Sequence, residues 1–264
     1  MGMDQAYMLW KADNFSGSGF LAAVELPARG FSGGFPGGAS RSAVIRNSDV
    51  LKKLNNGESV SSPEKVTGEL DVLGAKISNV PLRESDVYWA TSSGSGGLGD
   101  PFHRAPEHVE QDLQDGKITR ESAEQQYGAV VDLANGKFTI DAEATWDNRD
   151  KIRGNLVKTK RHSLKVSAET NAQSSIAITQ GHWNCAHCAA DLGSTKDEWK
   201  AGVAPRRRAL GSFFDEIGTQ VRTREVQPVF LNERYCPECG SCLCVDVEVE
   251  GAEQIPPGFS FRAA

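Results

Sequence analysis

The chain has 264 residues, 39% hydrophobic and 24% charged, and its 29 Lys and Arg against 35 Asp and Glu give a net charge of −6. That length allows one large or two small domains, the composition is ordinary for a globular protein, and the acidic balance gives nucleic acid no electrostatic footprint. No apolar run approaches the ~20 residues that span a bilayer. The start, Met1-Gly2-Met3-Asp4-Gln5-Ala6, lacks the basic region and hydrophobic core of a signal peptide, and Ala6 stands where a myristoylation signal carries Ser or Thr. Six cysteines in close pairs point to metal in a reducing, cytoplasmic compartment rather than to disulfides.

Residues 1–24 open with Met8-Leu9-Trp10 and a turn at Ser16-Gly17-Ser18-Gly19, ahead of an apolar strand over residues 20–26. Such a strand needs a partner, because an isolated edge invites aggregation. Residues 30–40 are too glycine-rich for regular structure. They read either as a loop that approaches a ligand or a partner backbone, or as a plain surface loop. Over residues 41–87, Ala43-Val44-Ile45-Arg46 and Leu70-Asp71-Val72-Leu73 read as short strands. Asn55-Asn56-Gly57 and Ser61-Ser62-Pro63 separate them, which predicts a small all-β unit. Its carboxylates, such as Glu64 with Glu69 or Asp71 with Glu84, are expected on a solvated face rather than as an acid and base pair.

Residues 88–133 carry the densest signals. The strand-formers Val87-Tyr88-Trp89-Ala90 enter a loop with Gly94, Gly96, Gly97 and Gly99, and Asp100-Pro101 announces a helix, since Asp caps well and Pro suits the first helical position. Further starts lie at Ala105-Pro106-Glu107 and at Thr119, with stops at Asp115-Gly116 and Tyr127-Gly128, before a strand over residues 129–133. Gly94-Ser95-Gly96-Gly97-Leu98-Gly99 contains the outline of a dinucleotide loop. No acidic residue ends a second strand about 20 residues on, and no Gly-Lys-Ser/Thr follows, so a tight turn is the expected reading.

This stretch resembles the C-terminal signature of the hydantoinase B / oxoprolinase family. Gly99-Asp100-Pro101, Arg104, Pro106, Val109, Asp112, Gly116, Ile118, Ala123 and Tyr127-Gly128 fall in register with its pattern, and Arg29-Gly30-Phe31-Ser32-Gly33-Gly34-Phe35-Pro36-Gly37-Gly38 resembles its other glycine-rich segment. The resemblance spans roughly residues 25–160. The family's large N-terminal part has no counterpart here, so the resemblance implies the detached tail of a split protein.

From residue 139 to 161, Ala142, Ala144, Trp146, Ile152, Leu156 and Val157 alternate with Arg149, Lys151, Arg153, Lys158, Lys160 and Arg161 and predict a basic helix capped by Asp141. In an acidic chain such a helix is expected to meet a subunit or simply to be solvated. The polar residues 163–178 read as a linker.

The C-terminal part holds two knuckles, Cys185-Ala186-His187-Cys188 and Cys236-Pro237-Glu238-Cys239. Four thiolates close a tetrahedral zinc site with Zn–S near ~2.3 Å and leave no open position for water, so Cys185, Cys188, Cys236 and Cys239 are the candidate ligands of a structural zinc. His182 or His187 could substitute for a cysteine, and Cys242 or Cys244 for Cys239. Residues 242–249 alternate as a strand, however, which makes those two cysteines small strand residues. A thioredoxin-like redox pair would need one such motif at a helix start, not two knuckles. The insert over residues 199–227, with Arg206-Arg207-Arg208, is expected to be a solvated helix rather than a phosphate-binding cluster.

The order Gly-His-x-x-Cys-x-x-Cys, then Tyr-Cys-Pro-x-Cys-Gly, then a hydrophobic-Glu-Val strand, is similar to the small zinc-containing subunit of acetone and acetophenone carboxylases, and most like the acetophenone type. The expected fold is α+β. A β-rich hydantoinase B C-terminal-like domain with short helices (1–162) would lead through a linker (163–178) to a small zinc-ribbon-like domain (179–264). The resemblance implies an accessory subunit of a biotin-independent, ATP-dependent ketone carboxylase that makes β-keto acids from a ketone and bicarbonate. It also implies larger hydantoinase A-type and hydantoinase B-type partners, with ATP and a divalent cation on those partners. No catalytic or cofactor-binding residue is expected in this chain, nor any nucleic-acid or membrane contact. The alternatives are a subunit of an ATP-dependent hydantoinase or oxoprolinase opening a cyclic amide, and a stand-alone zinc-ribbon interaction module.

Overall fold

The computed structural model describes residues 2–157, 174–219 and 228–252. The N-terminal part contains strands β1 (Asp4–Met8), β2 (Phe15–Phe20) and β3 (Arg41–Arg46), helix α1 (Val50–Asn55), and strands β4 (Glu69–Val72), β5 (Lys76–Leu82) and β6 (Val87–Thr91). An antiparallel sheet runs in the order β1-β6-β3-β4, and β2 pairs with β5 as a separate ribbon. Ile45, Val50 and Val87 form the core beneath the sheet.

Three expectations fail here. The turn at residues 16–19 is part of β2, whose register shifts between Gly17 and Gly19, and Ser18 Oγ accepts from the Asn79 amide at 2.9 Å across that bulge. The strand expected over residues 20–26 therefore ends at Phe20, and Ala23 takes a left-handed φ of 57° that no strand continues through. The unit is not all-β either. Residues 50–55 are helical because Asp49 ties the start of α1 to the Thr67 amide (2.9 Å) and Val50 is drawn into the core.

Then come α2 (Pro106–Gln114), α3 (Arg120–Gln125), β7 (Val131–Ala134), β8 (Lys137–Ile140) and α4 (Ala142–Val157). Val109, Leu113, Ala123, Ala129 and Val131 pack as one cluster. The predicted signals act as read: Pro106 sits in the first turn of α2, Gly116 takes φ 67° after it, and Thr119 Oγ1 accepts from the Ser122 amide at 3.0 Å. Asp141 caps α4, accepting from the Ala144 amide at 2.9 Å. Residues 137–140 form β8 rather than the helix start, because Asn135-Gly136, both at positive φ, close a two-residue hairpin onto β7.

The C-terminal part holds β9 (Ile176–Thr179), β10 (His182–Cys185), β11 (Asp191–Ser194), β12 (Ala204–Ala209), α5 (Leu210–Glu216), β13 (Val229–Tyr235) and β14 (Cys242–Val249), in two sheets ordered β11-β10-β9 and β12-β13-β14. Arg206-Arg207-Arg208 lies on strand β12, not on a helix, since the segment pairs residue for residue with β13. Within that sheet Glu233 is fully buried and receives Arg208, Arg206 and the Tyr235 hydroxyl, while Arg207 stacks 3.7 Å from the Phe230 ring centroid. Residues 220–227 of the insert, 163–173 of the expected linker, and Lys158, Lys160 and Arg161 lie outside the described residues. The last residues of that linker enter β9.

The chain is α+β, rich in antiparallel sheet with few, short helices. Its largest buried cluster joins the two halves: Phe35 from the first glycine-rich loop packs with Leu210, Phe213, Phe214, Leu231 and Val247, stacked 5.3 Å from Phe213. Leu156 and Val157 of α4 press on the same cluster.

Candidate metal centre

Each knuckle grows from a strand end. β10 finishes at Cys185, and the turn returns with Ala189 N–H donating to Cys185 O (2.9 Å) and Cys185 N–H to Ala190 O (2.9 Å). β13 runs into Cys236, where Gly240 N–H donates to Cys236 O (2.8 Å) and Cys236 N–H to Ser241 O (2.9 Å). The residue after each pair is left-handed, Ala189 at φ 59° and Gly240 at φ 57°, which turns the chain back toward the strand end it came from. The Cys239 amide points at Cys236 Sγ from 3.5 Å.

The four sulfurs of Cys185, Cys188, Cys236 and Cys239 all lie within 4.8 Å of one another, with Cys185–Cys239 at 3.8 Å and Cys188–Cys236 at 3.6 Å. A tetrahedron of sulfurs ~2.3 Å from a central ion has edges of about 3.8 Å, close to the two shortest separations, so the donor set suits a zinc-like cation. Cys185, Cys236 and Cys239 are buried. Hydrogen bonds shared with Cys236 and Cys239, together with burial, push the Cys185 thiol far up; burial pushes Cys188 up to about 12; hydrogen bonds from Cys185 and Cys236 draw Cys239 down. Four thiolates can share this space only around a cation that offsets their mutual repulsion. Among the described residues no other group of three or more Cys, His, Asp or Glu converges in this way. His182 is taken by Asp191 (3.0 Å), and Cys244 Sγ faces Asp246 Oδ1 at 3.6 Å.

What the sequence did not reveal is how the N-terminal half reaches this centre. Asp100, read as a helix cap and as part of the Gly99-Asp100-Pro101 motif, is buried. Its Oδ1 accepts from the Phe102 amide (2.9 Å), and its Oδ2 accepts from the Cys242 amide (2.9 Å) and from Arg153 Nη2 (3.2 Å). Burial alone would raise the Asp100 carboxyl, but Arg153, His103 and the two amides outweigh it and hold it below its usual range. His103 Nε2 lies 3.0 Å from Ser241 Oγ, and the His103 ring meets His187 edge-on with centroids 4.3 Å apart. Burial takes His103 down to about 4, against the opposing pull of Asp100.

Two arginines of the basic helix turn inward, while Glu143, Asp147 and Lys151 on its other side are exposed, as expected of a solvated face. Arg149 and Arg153 are fully buried within the chain. Arg149 donates to Tyr127 O and Arg104 O, both at 2.8 Å, and Arg153 lies over the Phe102 ring. The period of α4 places both on the face that meets the loops around residues 100 and 127. Only knowledge of those loops could have found them.

The two glycine-rich loops meet each other. Phe31 N–H donates to Gly97 O (2.8 Å), Gly97 N–H to Phe35 O (2.8 Å) and Gly99 N–H to Phe31 O (2.9 Å). A Cβ on Gly34 would lie 2.0 Å from Gly97 O, and one on Gly33, at φ 90°, would lie 2.0 Å from Cys242 O. Glycine is needed here for backbone against backbone. The element after residues 94–99 is a single 3-10 turn, Pro101–His103, too short to present a helix N-terminus to a phosphate. A cleft of about 410 Å³ opens beside these loops, lined by Leu98, Arg104, His108, Tyr127 and His187 among others.

Comparison with known proteins supplies a context. Residues 163–259 match the acetone carboxylase gamma subunit family. The acetone carboxylase alpha subunit of Xanthobacter autotrophicus is 24% identical over 170 residues, which takes in 58% of this chain, more than residues 163–259 alone could supply, and 21% of that subunit. The chain therefore spans about a fifth of the length of that relative. A nucleotide-free structure of acetone carboxylase, from work on ATP-dependent acetone carboxylation, aligns with a TM-score of 0.49 at 22% identity, over 60% of this chain and 22% of that one.

Proposed function

We propose that this acetone carboxylase-related chain is an accessory, zinc-braced subunit of a biotin-independent, ATP-dependent ketone carboxylase in the cytoplasm. The observation that carries the reading is the union, in one polypeptide, of gamma-subunit similarity over residues 163–259, alpha-subunit similarity extending beyond it, and a preformed four-cysteine cluster. Cys185, Cys188, Cys236 and Cys239 would hold the zinc. A filled tetrahedron supplies cross-linking rather than Lewis-acid chemistry. The ion's part is to tie β10 to the turn between β13 and β14.

In such an assembly ATP and its divalent cation belong to a larger hydantoinase A-type subunit, and a hydantoinase B-type subunit completes the fold that this chain contributes to. Phosphorylation there activates bicarbonate and the enol, and carbon–carbon bond formation yields a β-keto acid from acetone or acetophenone. Support for a partner comes from Tyr7, Trp10, Phe15 and Phe20, large side chains exposed on and between β1 and β2. Residues 1–162 and 179–264 are read as the two contributing modules. No helix among the described residues is long and apolar enough to cross a membrane.

Native mass spectrometry with metal analysis on the untagged protein from its own host tests this. Recovery with two larger partners, one zinc per copy, and ATP turnover stimulated by ketones and not by cyclic amides is the expected result. Recovery as a lone zinc-loaded chain would overturn it.

A further inference from the structure

We propose that His103 and Ser241 form an outer hydrogen-bonded shell for the metal, so that zinc retention depends on a positioning residue in the N-terminal half of the chain. The inference rests on the zinc reading above and adds what the zinc leans on. Ser241 is fully buried, with its Oγ 3.3 Å from Cys239 Sγ and 3.0 Å from His103 Nε2. A zinc-bound Cys239 is a thiolate and can only accept, so the Ser241 hydroxyl turns its proton toward the sulfur and its oxygen accepts from His103 Nε2–H. That order fixes His103 as the Nε2–H tautomer.

Two further contacts hold His103 in place. Its backbone amide donates to Asp100 O at 2.9 Å, within the turn that the Asp100 carboxylate caps, and that same carboxylate anchors the Cys242 amide next to Ser241. On its other side the His103 ring abuts His187, which lies between Cys185 and Cys188. His103 thus touches both knuckles, one through Ser241 and one through His187. A hydroxyl donor spreads charge away from a thiolate and orients it, and partners of this kind are worth 10–100-fold in metal affinity.

The test uses the full chain, with Ser241→Ala, His103→Ala and His103→Gln compared by zinc competition against a chromogenic chelator and by the sulfur-to-cobalt charge-transfer band after cobalt substitution. Ser241→Ala and His103→Ala should each weaken zinc 10–100-fold and shift the cobalt band, and His103→Gln, whose amide can donate from nearly the Nε2 position, should recover most of the loss. A parent chain that binds no zinc would overturn the metal reading itself. A parent that binds one zinc, with variants within twofold and an unchanged cobalt band, would overturn the outer shell alone. Equal weakening in His103→Ala and His103→Gln with an unchanged band would reduce His103 to packing and also overturn it. If Ser241→Ala fails to fold, as judged by circular dichroism, the two His103 variants decide.

Discussion

Asp100→Ala separates two readings of one residue. If Asp100 only capped the 3-10 turn, its loss would cost about 1 kcal/mol. The structure gives it a larger part. Its carboxylate is the one anionic partner of Arg153 among the described residues, both side chains are almost wholly buried, and it also satisfies the Cys242 amide. Deleting one member of a buried ion pair costs ~3–5 kcal/mol, because the other charge stays in a low-dielectric site, and an orphaned buried amide adds ~1–3 kcal/mol. These losses overlap, so a total of about 4–5 kcal/mol is expected, a large fraction of the ~5–15 kcal/mol that holds a typical domain. Urea unfolding of the zinc-loaded chain at fixed free zinc measures it. A double-mutant cycle with Arg153→Met should show a coupling of at least ~2 kcal/mol, since the double variant removes both charges together. A loss within ~1 kcal/mol of a simple cap, or additivity in the cycle, would refute the argument.

Other outcomes follow from the same structure. Cys236→Ser should drop the zinc content from one per chain towards none and lower the melting temperature of the C-terminal sheets; unchanged metal and melting would remove Cys236 from the ligand set. Gly34→Ala should destabilise by about 2–3 kcal/mol, because its Cβ would lie 2.0 Å from Gly97 O, whereas Gly38→Ala, with nothing within 4 Å, should be near neutral in the same denaturation assay. Asp86 is buried and held below its ordinary value: burial opposes ionisation, but the Asn47 and Arg83 amides and Arg46 outweigh it. Its contribution is therefore fully present above the unfolded pKa near ~3.9 and lost as pH falls through the lower folded pKa. Asp86→Asn should be less stable than the parent at neutral pH and lose less on acidification, and parallel acid-melting curves would count against this.

The features legible in the sequence were those whose physics is local. Thr119 and Asp141 cap helices through bonds that span three residues, Pro106 and Gly116 bracket α2 by their own dihedral limits, and the two Cys-x-x-Cys turns carry their cysteine spacing within themselves. The alternation of residues 242–249 likewise announced β14, and with it the exclusion of Cys244 from the sulfur cluster. Asn135-Gly136 is an equally local hairpin signal, but the helical pattern that follows it extends over residue 139 and masks β8.

Tertiary structure decided everything that depends on which segments meet. Arg149 and Arg153 look like surface charges on a helix of mixed pattern until the carbonyls of Arg104 and Tyr127 and the carboxylate of Asp100 come to them from elsewhere in the chain. Arg206 and Arg208 become partners of a buried Glu233 only through the pairing of β12 with β13. The glycines of residues 30–38 and 94–99 advertised close approach but not what approaches, because a missing Cβ permits contact with any backbone. In this chain the backbone is each loop's own counterpart and the strand that leaves the cysteine cluster. The sequence by itself marked the four clustered cysteines and their local turns; the meeting of the two halves at Asp100, His103 and Phe35 is a sum of long-range contacts that no local pattern encodes.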